Sequence, residues 1–191
     1  IDITINSGDY NPITTLYSIK IVKLTGTQAI YYIGEDANGL KLVTNEAEKV
    51  YKSMSDGWGD LSPIRIAGLE ANTKYDVSLD AKNGAGISTG YINSDDVYTR
   101  APDPTDVKAT VKAWDKIELE AKIFANDHEG DSGYHWVCEL NPGGGNGADG
   151  SDKRVYIDDG LYPNSQYQYY VYYTNGDSIA TNKVYTQRVY T

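Results

Sequence analysis

The chain repeats part of its own sequence at a fixed distance. Residues 160–191 align with residues 68–99 without a gap, at an offset of 92 positions. Eleven of the 32 aligned positions are identical: Gly68/Gly160, Leu69/Leu161, Asn72/Asn164, Tyr75/Tyr167, Asn83/Asn175, Gly84/Gly176, Ile87/Ile179, Thr89/Thr181, Val97/Val189, Tyr98/Tyr190 and Thr99/Thr191. Self-similarity at a fixed period indicates a repeated structural unit. Because this period has the length of a whole domain, the 191 residues are predicted to form two tandem domains, 1–100 and 101–191.

Short alternating runs rich in Val, Ile, Tyr and Thr predict β-strands throughout both copies. In the first copy the runs are 1–5, 14–24, 28–34, 40–43, 63–67, 75–81 and 87–99; in the second they are 107–114, 116–125, 133–140, 154–157, 167–174 and 179–190. Only residues 45–54 have helical spacing, which predicts one or two turns in a loop. Asn83-Gly84 and Asn175-Gly176 predict tight hairpins with positive φ angles. Six or seven antiparallel strands in each copy predict a β-sandwich.

The most repeated stretch resembles the tyrosine corner of fibronectin type III domains. It reads Leu69 to Tyr75 in "LEANTKY" and Leu161 to Tyr167 in "LYPNSQY". The resemblance implies that the two leucines fill the core and that each tyrosine hydroxyl bonds to backbone a few residues upstream. It also implies the fold class, two tandem fibronectin type III-like or immunoglobulin-like sandwiches. Trp136, on the strand expected to be C, is more similar to the immunoglobulin pattern.

Composition excludes several classes of function. The net charge of -10 disfavours binding to a nucleic-acid backbone, which requires a basic face. No run of apolar residues approaches the ~18 that a membrane span needs. The single cysteine, Cys138, excludes an internal disulfide, and its alternating surroundings predict a small buried side chain on a strand. The start Ile-Asp-Ile-Thr, without Met, is expected of a processed chain or a fragment.

Three patterns imitate catalytic or ligand sites. Gly86-Ile87-Ser88-Thr89-Gly90 fits a nucleophile elbow, but that motif requires a strand followed by a helix. The glycines of 145–150 fit a dinucleotide fingerprint, but they lie in a predicted loop without a helix. Acidic residues crowd the same loop and the loop 126–131, where solvation is the favoured interpretation and a calcium ion the lesser alternative. We therefore expect no enzyme activity and no cofactor.

The strand with the most tyrosines predicts a contact surface in the second copy. In the first copy Tyr75, Val77, Leu79 and Ala81 alternate with Asp76, Ser78, Asp80 and Lys82, so the second set is predicted to face water. The same register places Tyr170 and Tyr172 outside, beside His135 and Val137 of the neighbouring strand. Exposed tyrosines can simply favour strand formation, or they can form a binding surface, because tyrosine is enriched at interfaces. Trp58, flanked by Gly and Asp, is a further exposed candidate or else a cap on its own domain.

These features predict a non-enzymatic structural or adhesive module of an extracellular surface, filament or virion. Its partner would be a protein, including a second copy of itself, because sandwich edge strands can pair with a neighbour. The alternative is a carbohydrate-binding or spacer module of a larger secreted enzyme, with an aromatic platform that binds glycans.

Overall fold

The computed structural model describes residues 1–5, 14–58, 63–122, 132–145 and 154–191. They divide into two compact units, Ile1–Thr99 and Arg100–Thr191. Both units are built from antiparallel strands, and no α-helix occurs in the part of the chain that is described. The predicted all-β class is confirmed.

The first unit has one large and one small sheet. Its strands are β1 (Asp2–Ile3), β2 (Leu16–Lys23), β3 (Ile30–Asp36), β4 (Gly39–Val43), β5 (Lys52–Ser53), β6 (Ile64–Arg65), β7 (Lys74–Lys82), β8 (Ile92–Asn93) and β9 (Val97–Tyr98). The large sheet has the order β4-β3-β2-β7-β8, with β5 paired to β2 and β9 paired to β7, while β1 pairs with β6. Alternate residues of these strands, such as Ile19, Ile21 and Tyr75, are fully buried because successive side chains point to opposite faces.

The stretch with helical spacing, residues 45–54, contains one turn and the short strand β5, and a second turn begins at its last residue. Residues Glu46–Glu48 make one turn of 3₁₀ helix, and the Asn45 side chain caps it by accepting a 3.0 Å hydrogen bond from the Ala47 N–H. Residues Met54–Trp58 form one wider turn after β5. The predicted turn is thus found at Glu46–Glu48, while the second turn lies beyond the predicted stretch except for Met54.

The second unit is a sandwich of a three-stranded and a four-stranded sheet. Its strands are β10 (Thr105–Ala113), β11 (Lys116–Lys122), β12 (Gly133–Leu140), β13 (Val155–Asp159), β14 (Gln166–Thr174), β15 (Val184–Tyr185) and β16 (Val189–Tyr190). One sheet has the order β10-β11-β13; the other has the order β12-β14-β15, with β16 also paired to β14. Trp136 and the inward tyrosines of β14 occupy the core between them.

The last hairpin of each unit differs from the prediction. The positive φ angles lie at Gly86 and Ser178, at 77° and 61°, and not at the Asn-Gly pairs. The asparagines act through their side chains instead. The Asn83 Oδ1 accepts hydrogen bonds of 3.0 and 2.9 Å from the N–H groups of Ala85 and Ile87, and Asn175 repeats this pattern. The side chain thus replaces the backbone geometry of a two-residue turn.

The final strand of each copy is also interrupted, although the sequence predicts a continuous run. It forms β8 and β9 in the first unit, and β15 and β16 in the second. Between β15 and β16, the Thr186 hydroxyl accepts a 3.1 Å hydrogen bond from the Tyr169 N–H. A side chain therefore takes the place of a ladder carbonyl where the strand breaks.

Both corner tyrosines are fully buried, and their hydroxyls bond to backbone five residues upstream. The Tyr75 hydroxyl accepts a 3.0 Å hydrogen bond from the Glu70 N–H, and the Tyr167 hydroxyl accepts one of 2.8 Å from the Tyr162 N–H. Leu161 is buried and Leu69 is half-buried against the core of its own unit. The corner joins the entry of β7 or β14 to the connection that precedes it.

Candidate functional site

The outer side of β14 carries a row of aromatic side chains. Tyr167, Tyr169, Val171 and Tyr173 face the core and have no exposed surface. Tyr170 and Tyr172 point to the opposite side and are partly exposed. On the adjacent β12, His135 lies opposite Tyr172 and Val137 lies opposite Tyr170. The structure thus brings together four of the residues that the sequence predicts for a contact surface.

The rings of this row lie against one another. The His135 and Tyr172 rings stack with centroids 4.7 Å apart and an interplanar angle of 10°. The Tyr170 centroid lies 6.4 Å from that of Tyr172 and 5.5 Å from that of Tyr185 on β15. We call His135, Val137, Tyr170, Tyr172 and Tyr185 the aromatic face. It spans three neighbouring strands of one sheet, β12, β14 and β15.

Polar groups surround the aromatic face. The Lys183 ammonium lies 4.3 Å from the Tyr170 ring centroid, and its bond with the Tyr170 hydroxyl raises the pKa of Lys183. The Tyr185 hydroxyl donates a hydrogen bond of 3.5 Å to Glu139. His135 Nε2 lies 3.0 Å from the Thr174 hydroxyl. An aromatic centre with polar and charged groups at its edge is the arrangement found in protein interfaces.

Sequence reasoning missed Tyr185 and Lys183 on the third strand. Tyr185 is 46% exposed and lies directly opposite Tyr170. The alternation of Lys183, Val184 and Tyr185 could have predicted them. Val184 packs against the core, so its two neighbours on the strand must face outward.

Trp58 is not part of any exposed surface, and its prediction as a contact residue is wrong. The indole is fully buried, and its Nε1 donates a 2.9 Å hydrogen bond to the Tyr17 carbonyl. The neighbouring Gly and Asp residues suggested an exposed loop, but the turn over Met54–Trp58 directs this side chain under β2. The alternative, a cap on its own domain, describes the observed packing.

The corresponding positions of the first unit are not solvated, in contrast to the prediction. Ser78 and Asp80 are 1% and 3% exposed. The Ser78 hydroxyl donates a 2.9 Å hydrogen bond to Asn93, while Asp80 accepts one of 2.6 Å from Ser88 and another from Tyr51. Burial, together with the bond to Asp80, raises the pKa of Tyr51 to about 12. This polar network covers the face of β7 that alternation assigns to water.

The pattern that resembles a nucleophile elbow does not have the geometry that such an elbow requires. Ser88, the nucleophile of the elbow pattern, forms a β-bridge with Lys82, and strand β8 rather than a helix follows it. Residues 146–150 of the glycine-rich pattern and the acidic loop 126–131 lie outside the described residues. Among the residues that are described, no group of three or more His, Cys, Asp or Glu side chains could hold a metal ion.

Cys138 lies on the strand β12, as the sequence predicts, but it is half-buried rather than buried, and its Sγ contacts the Leu140 carbonyl at 3.3 Å. Burial, with a smaller contribution from the nearby Asp158 charge, raises the pKa of the thiol to about 11. The thiol is therefore protonated at neutral pH, which is the state of a structural cysteine.

A comparison with solved protein structures finds the same fold in a pair of fibronectin type III domains. The two fibronectin type III domain segment of chicken tenascin matches with a TM-score of 0.51 and 14% identity, covering 92% of this chain and 84% of that one. The chain has a tandem fibronectin type III fold. Domains FN1–FN3 of chicken CNTN1 match with a TM-score of 0.32 and 14% identity over 93% of this chain and 56% of that structure.

No protein-family model matches the sequence, and no curated protein matches it. Within the described part of this fibronectin type III tandem, no helix has the length and apolar character needed to cross a membrane.

Proposed function

We propose that this tandem is a non-catalytic structural or adhesive module of an extracellular surface, filament or virion. Its contact surface is the aromatic face of the second unit, and its partner is a protein, with a second copy of the chain as the first candidate. The observation that carries the proposal is the continuous contact of Tyr170 with Tyr172 and Tyr185 on the outer side of one sheet.

The position of these tyrosines supports a role in binding rather than in folding. The core of the second unit is already filled by the inward tyrosines of β14, which have no exposed surface. Tyr170 and Tyr172 contribute cross-strand contacts, but pairs of this kind are worth only ~0.2–1 kcal/mol each. Aromatic side chains that anchor an interface often contribute more than ~2 kcal/mol.

The first unit supports the assignment by contrast. At the positions equivalent to Tyr170 and Tyr172 it carries Ser78 and Asp80, whose hydrogen bonds are made within the unit. One copy therefore closes this face with an internal polar network, while the other leaves aromatic rings partly exposed. The two units have the same fold but differ on this face of the sheet, and this difference supports a binding function for the second unit.

The test is the double variant Tyr170→Ser with Tyr172→Asp, which introduces the residue types of the first copy. Sedimentation velocity over a concentration series would measure self-association, and circular dichroism would verify the fold. We expect the variant to stay folded and its association constant to fall at least about tenfold, since the loss of a single anchor worth on the order of 1.4 kcal/mol already has that effect.

The matched control is Trp114→Ser, which removes an aromatic side chain that is 67% exposed at the turn between β10 and β11. It should leave association unchanged. A wild-type chain that stays monomeric at high concentration contradicts self-association, and equal losses in the variant and the control contradict the assignment to the aromatic face.

A carbohydrate-binding module is the second candidate function. The observation in its favour is the pair Tyr170 and Tyr172, whose rings lie at 30° to each other and form a partly exposed platform. Glycan-array binding that the double variant abolishes would support this function. An array without any signal would eliminate it.

A further inference from the structure

Asn-Gly pairs occur three times among the described residues, and each lies in the turn after a long strand. Asn83-Gly84 and Asn175-Gly176 follow β7 and β14, while Asn38-Gly39 joins β3 to β4. A fourth pair, Asn146-Gly147, lies outside the described residues. In such a pair the asparagine side chain can react with the following backbone nitrogen, because glycine has no Cβ that obstructs the approach.

The side chains of Asn83 and Asn175 are held by the backbone of their own turns. The Asn83 Oδ1 accepts hydrogen bonds of 3.0 and 2.9 Å from the N–H groups of Ala85 and Ile87. The Asn175 Oδ1 accepts two equivalent bonds, of 3.1 and 2.8 Å, in the second unit. Both amides are therefore directed at residues that come after the glycine of the pair.

The side chain of Asn38 is not held in this way. The connection from β3 to β4 has two residues, Ala37 and Asn38, and pairs Asp36 with Gly39. The Asn38 N–H donates a 2.8 Å hydrogen bond to Asp36 Oδ1. In the part of the chain that is described, the exposed Asn38 amide itself makes no hydrogen bond. The turn is fixed through its backbone, and the Asn38 side chain is able to rotate.

Asn38-Gly39 and Asn83-Gly84 form a matched comparison within one unit. Both asparagines are exposed, and a Cβ at either glycine would meet no atom within 4 Å. Water therefore reaches both turns. The hydrogen bonds of the asparagine side chain are the difference that bears on its reactivity.

We propose that Asn38-Gly39 is a site of spontaneous covalent modification, at which the folded chain converts Asn38 to aspartate and isoaspartate. The Gly39 backbone nitrogen attacks the Asn38 Cγ, and the proton of that nitrogen leaves with the side-chain amide as ammonia. The cyclic imide that forms is opened by water at one of its two carbonyl carbons, which gives aspartate or isoaspartate. Water is the only co-reactant of the two steps.

The reaction depends on the approach of two atoms that belong to neighbouring residues. Intramolecular reactions are fast where the reacting atoms come within ~3–3.5 Å of each other in the right orientation. Asn38 reaches this arrangement by rotation of its side chain. Asn83 and Asn175 must first give up two hydrogen bonds each, and the loss of two bonds of ordinary strength slows a reaction by roughly tenfold.

The product would change an edge strand of the large sheet. β4 is the last strand in the order β4-β3-β2-β7-β8, and its Leu40 and Leu42 pack against the core. Isoaspartate continues the chain through its side-chain carboxyl carbon, which adds a methylene to the backbone of a two-residue connection. Because loop length fixes the register of a hairpin, the pairing of Asp36 with Gly39 should be lost and β4 should loosen. This site belongs to the first unit and does not depend on the function proposed for the aromatic face.

Mass spectrometry of the aged chain tests the site. Trypsin places the three pairs in separate peptides, 24–41, 83–100 and 155–183. The full chain is incubated at mildly alkaline pH, both folded and in urea, and fragment ions follow the conversion of each asparagine. The rates in urea are the reference, since the three turns are then unfolded. We expect folding to slow Asn83 and Asn175 at least about tenfold and to slow Asn38 much less. Equal protection of all three would overturn the proposal.

An isoaspartyl methyltransferase identifies the product, because this enzyme labels isoaspartate and leaves aspartate unlabelled. The label should appear in peptide 24–41 of the folded, aged chain. The control is Asn38→Ser, which removes the side-chain amide, keeps the N–H that bonds to Asp36, and should abolish the label in this peptide. A label that is confined to the other two peptides would contradict the site.

Hydrogen exchange tests the effect on the edge strand. The β4 amides should exchange at least about tenfold faster in the aged wild-type chain than in the fresh one, because local opening becomes easier. Asn38→Ser, aged in parallel, should show no such change. Unaltered exchange in a chain that carries isoaspartate at position 38 would overturn the inferred loosening of β4.

Discussion

The hydroxyl of Tyr167 donates a 2.7 Å hydrogen bond to the carbonyl of Gly143, a residue that lies 24 positions earlier. The same hydroxyl accepts the 2.8 Å bond from the Tyr162 N–H. One buried side chain therefore connects the segment after β12 with the segment before β14. The corner of the second unit thus also fixes a loop at the end of the sandwich.

Tyr167→Phe should destabilise the second unit by about 1–2 kcal/mol, because two hydrogen bonds to buried backbone are lost. Tyr75→Phe should cost the first unit about 1 kcal/mol, since one such bond is present among the described residues. Urea unfolding, followed by amide signals of each unit, would measure both values. Tyr162→Phe is the control: this side chain is 56% exposed and should change stability little. An unaltered midpoint in Tyr167→Phe would show that the corner bonds carry no stability.

Gly143→Ala should destabilise the second unit by more than about 1 kcal/mol, as an overpacked site does. The φ angle of Gly143 is 149°, and a Cβ there would come within 2.0 Å of the Tyr162 ring. The double variant with Tyr162→Ala should recover part of the loss, because the ring is then absent. Gly84→Ala is the matched control, since no atom lies within 4 Å of a Cβ at that position. Thermal melting of the four proteins would decide, and equal melting temperatures would contradict the predicted overlap.

The Cys138 thiol should react slowly in the folded chain. Its pKa is raised from 9.0 to about 11 by burial, so the thiolate fraction at about pH 8 is at least about tenfold lower than in the unfolded chain. Reaction with a disulfide reagent, with and without urea, would measure the two rates. Equal rates would mean that the thiol is more open than its position on β12 indicates.

Alternation along the chain was sufficient to predict which face each residue of β14 occupies. Tyr167, Tyr169, Val171 and Tyr173 are buried as predicted, and Tyr170 and Tyr172 lie on the other side. The repeat also located the corner sequences, because a fixed spacing of Leu and Tyr is a local property. These features depend on residues that are close in sequence.

The alternation of apolar and polar residues along a strand does not predict which other segments pack over the outer face of the sheet. Ser78 and Asp80 lie on the predicted side of β7, but Tyr51, Ser88 and Asn93 reach over them from other segments. The burial of Trp58 under β2 has the same origin, because its hydrogen-bond partner Tyr17 is 41 residues away. Such long-range contacts leave no periodic pattern in the sequence.

The stability of the second unit should fall at alkaline pH because of a buried tyrosine. The Tyr169 hydroxyl donates a 2.8 Å hydrogen bond to the Asp158 carboxylate, and both residues are buried. Burial, and then the bond to this carboxylate, raises the pKa of Tyr169 above its ordinary value of 10.0. Above about pH 10 the unfolded chain loses this proton while the folded chain retains it.

The sign of the effect follows from proton linkage. The stability that the second unit gains from the buried, protonated Tyr169 is fully present below the unfolded pKa of 10.0. It is lost as the pH rises from there toward the pKa of the folded chain. Each retained proton lowers the free energy of unfolding by about 1.4 kcal/mol per pH unit in that window. Urea unfolding between about pH 9 and 11 would measure the slope for the wild type and for Tyr169→Phe.

Tyr169→Phe should be less stable at neutral pH, because Asp158 loses a hydrogen-bond donor, but its alkaline slope should be shallower by up to one proton. Comparison at each pH removes the contribution of the lysines, which titrate in both proteins. Tyr190→Phe, at a tyrosine that is 62% exposed on β16, is the control for the substitution itself. Parallel slopes for wild type and Tyr169→Phe would contradict the conclusion that burial and the bond to Asp158 keep the proton on the Tyr169 hydroxyl.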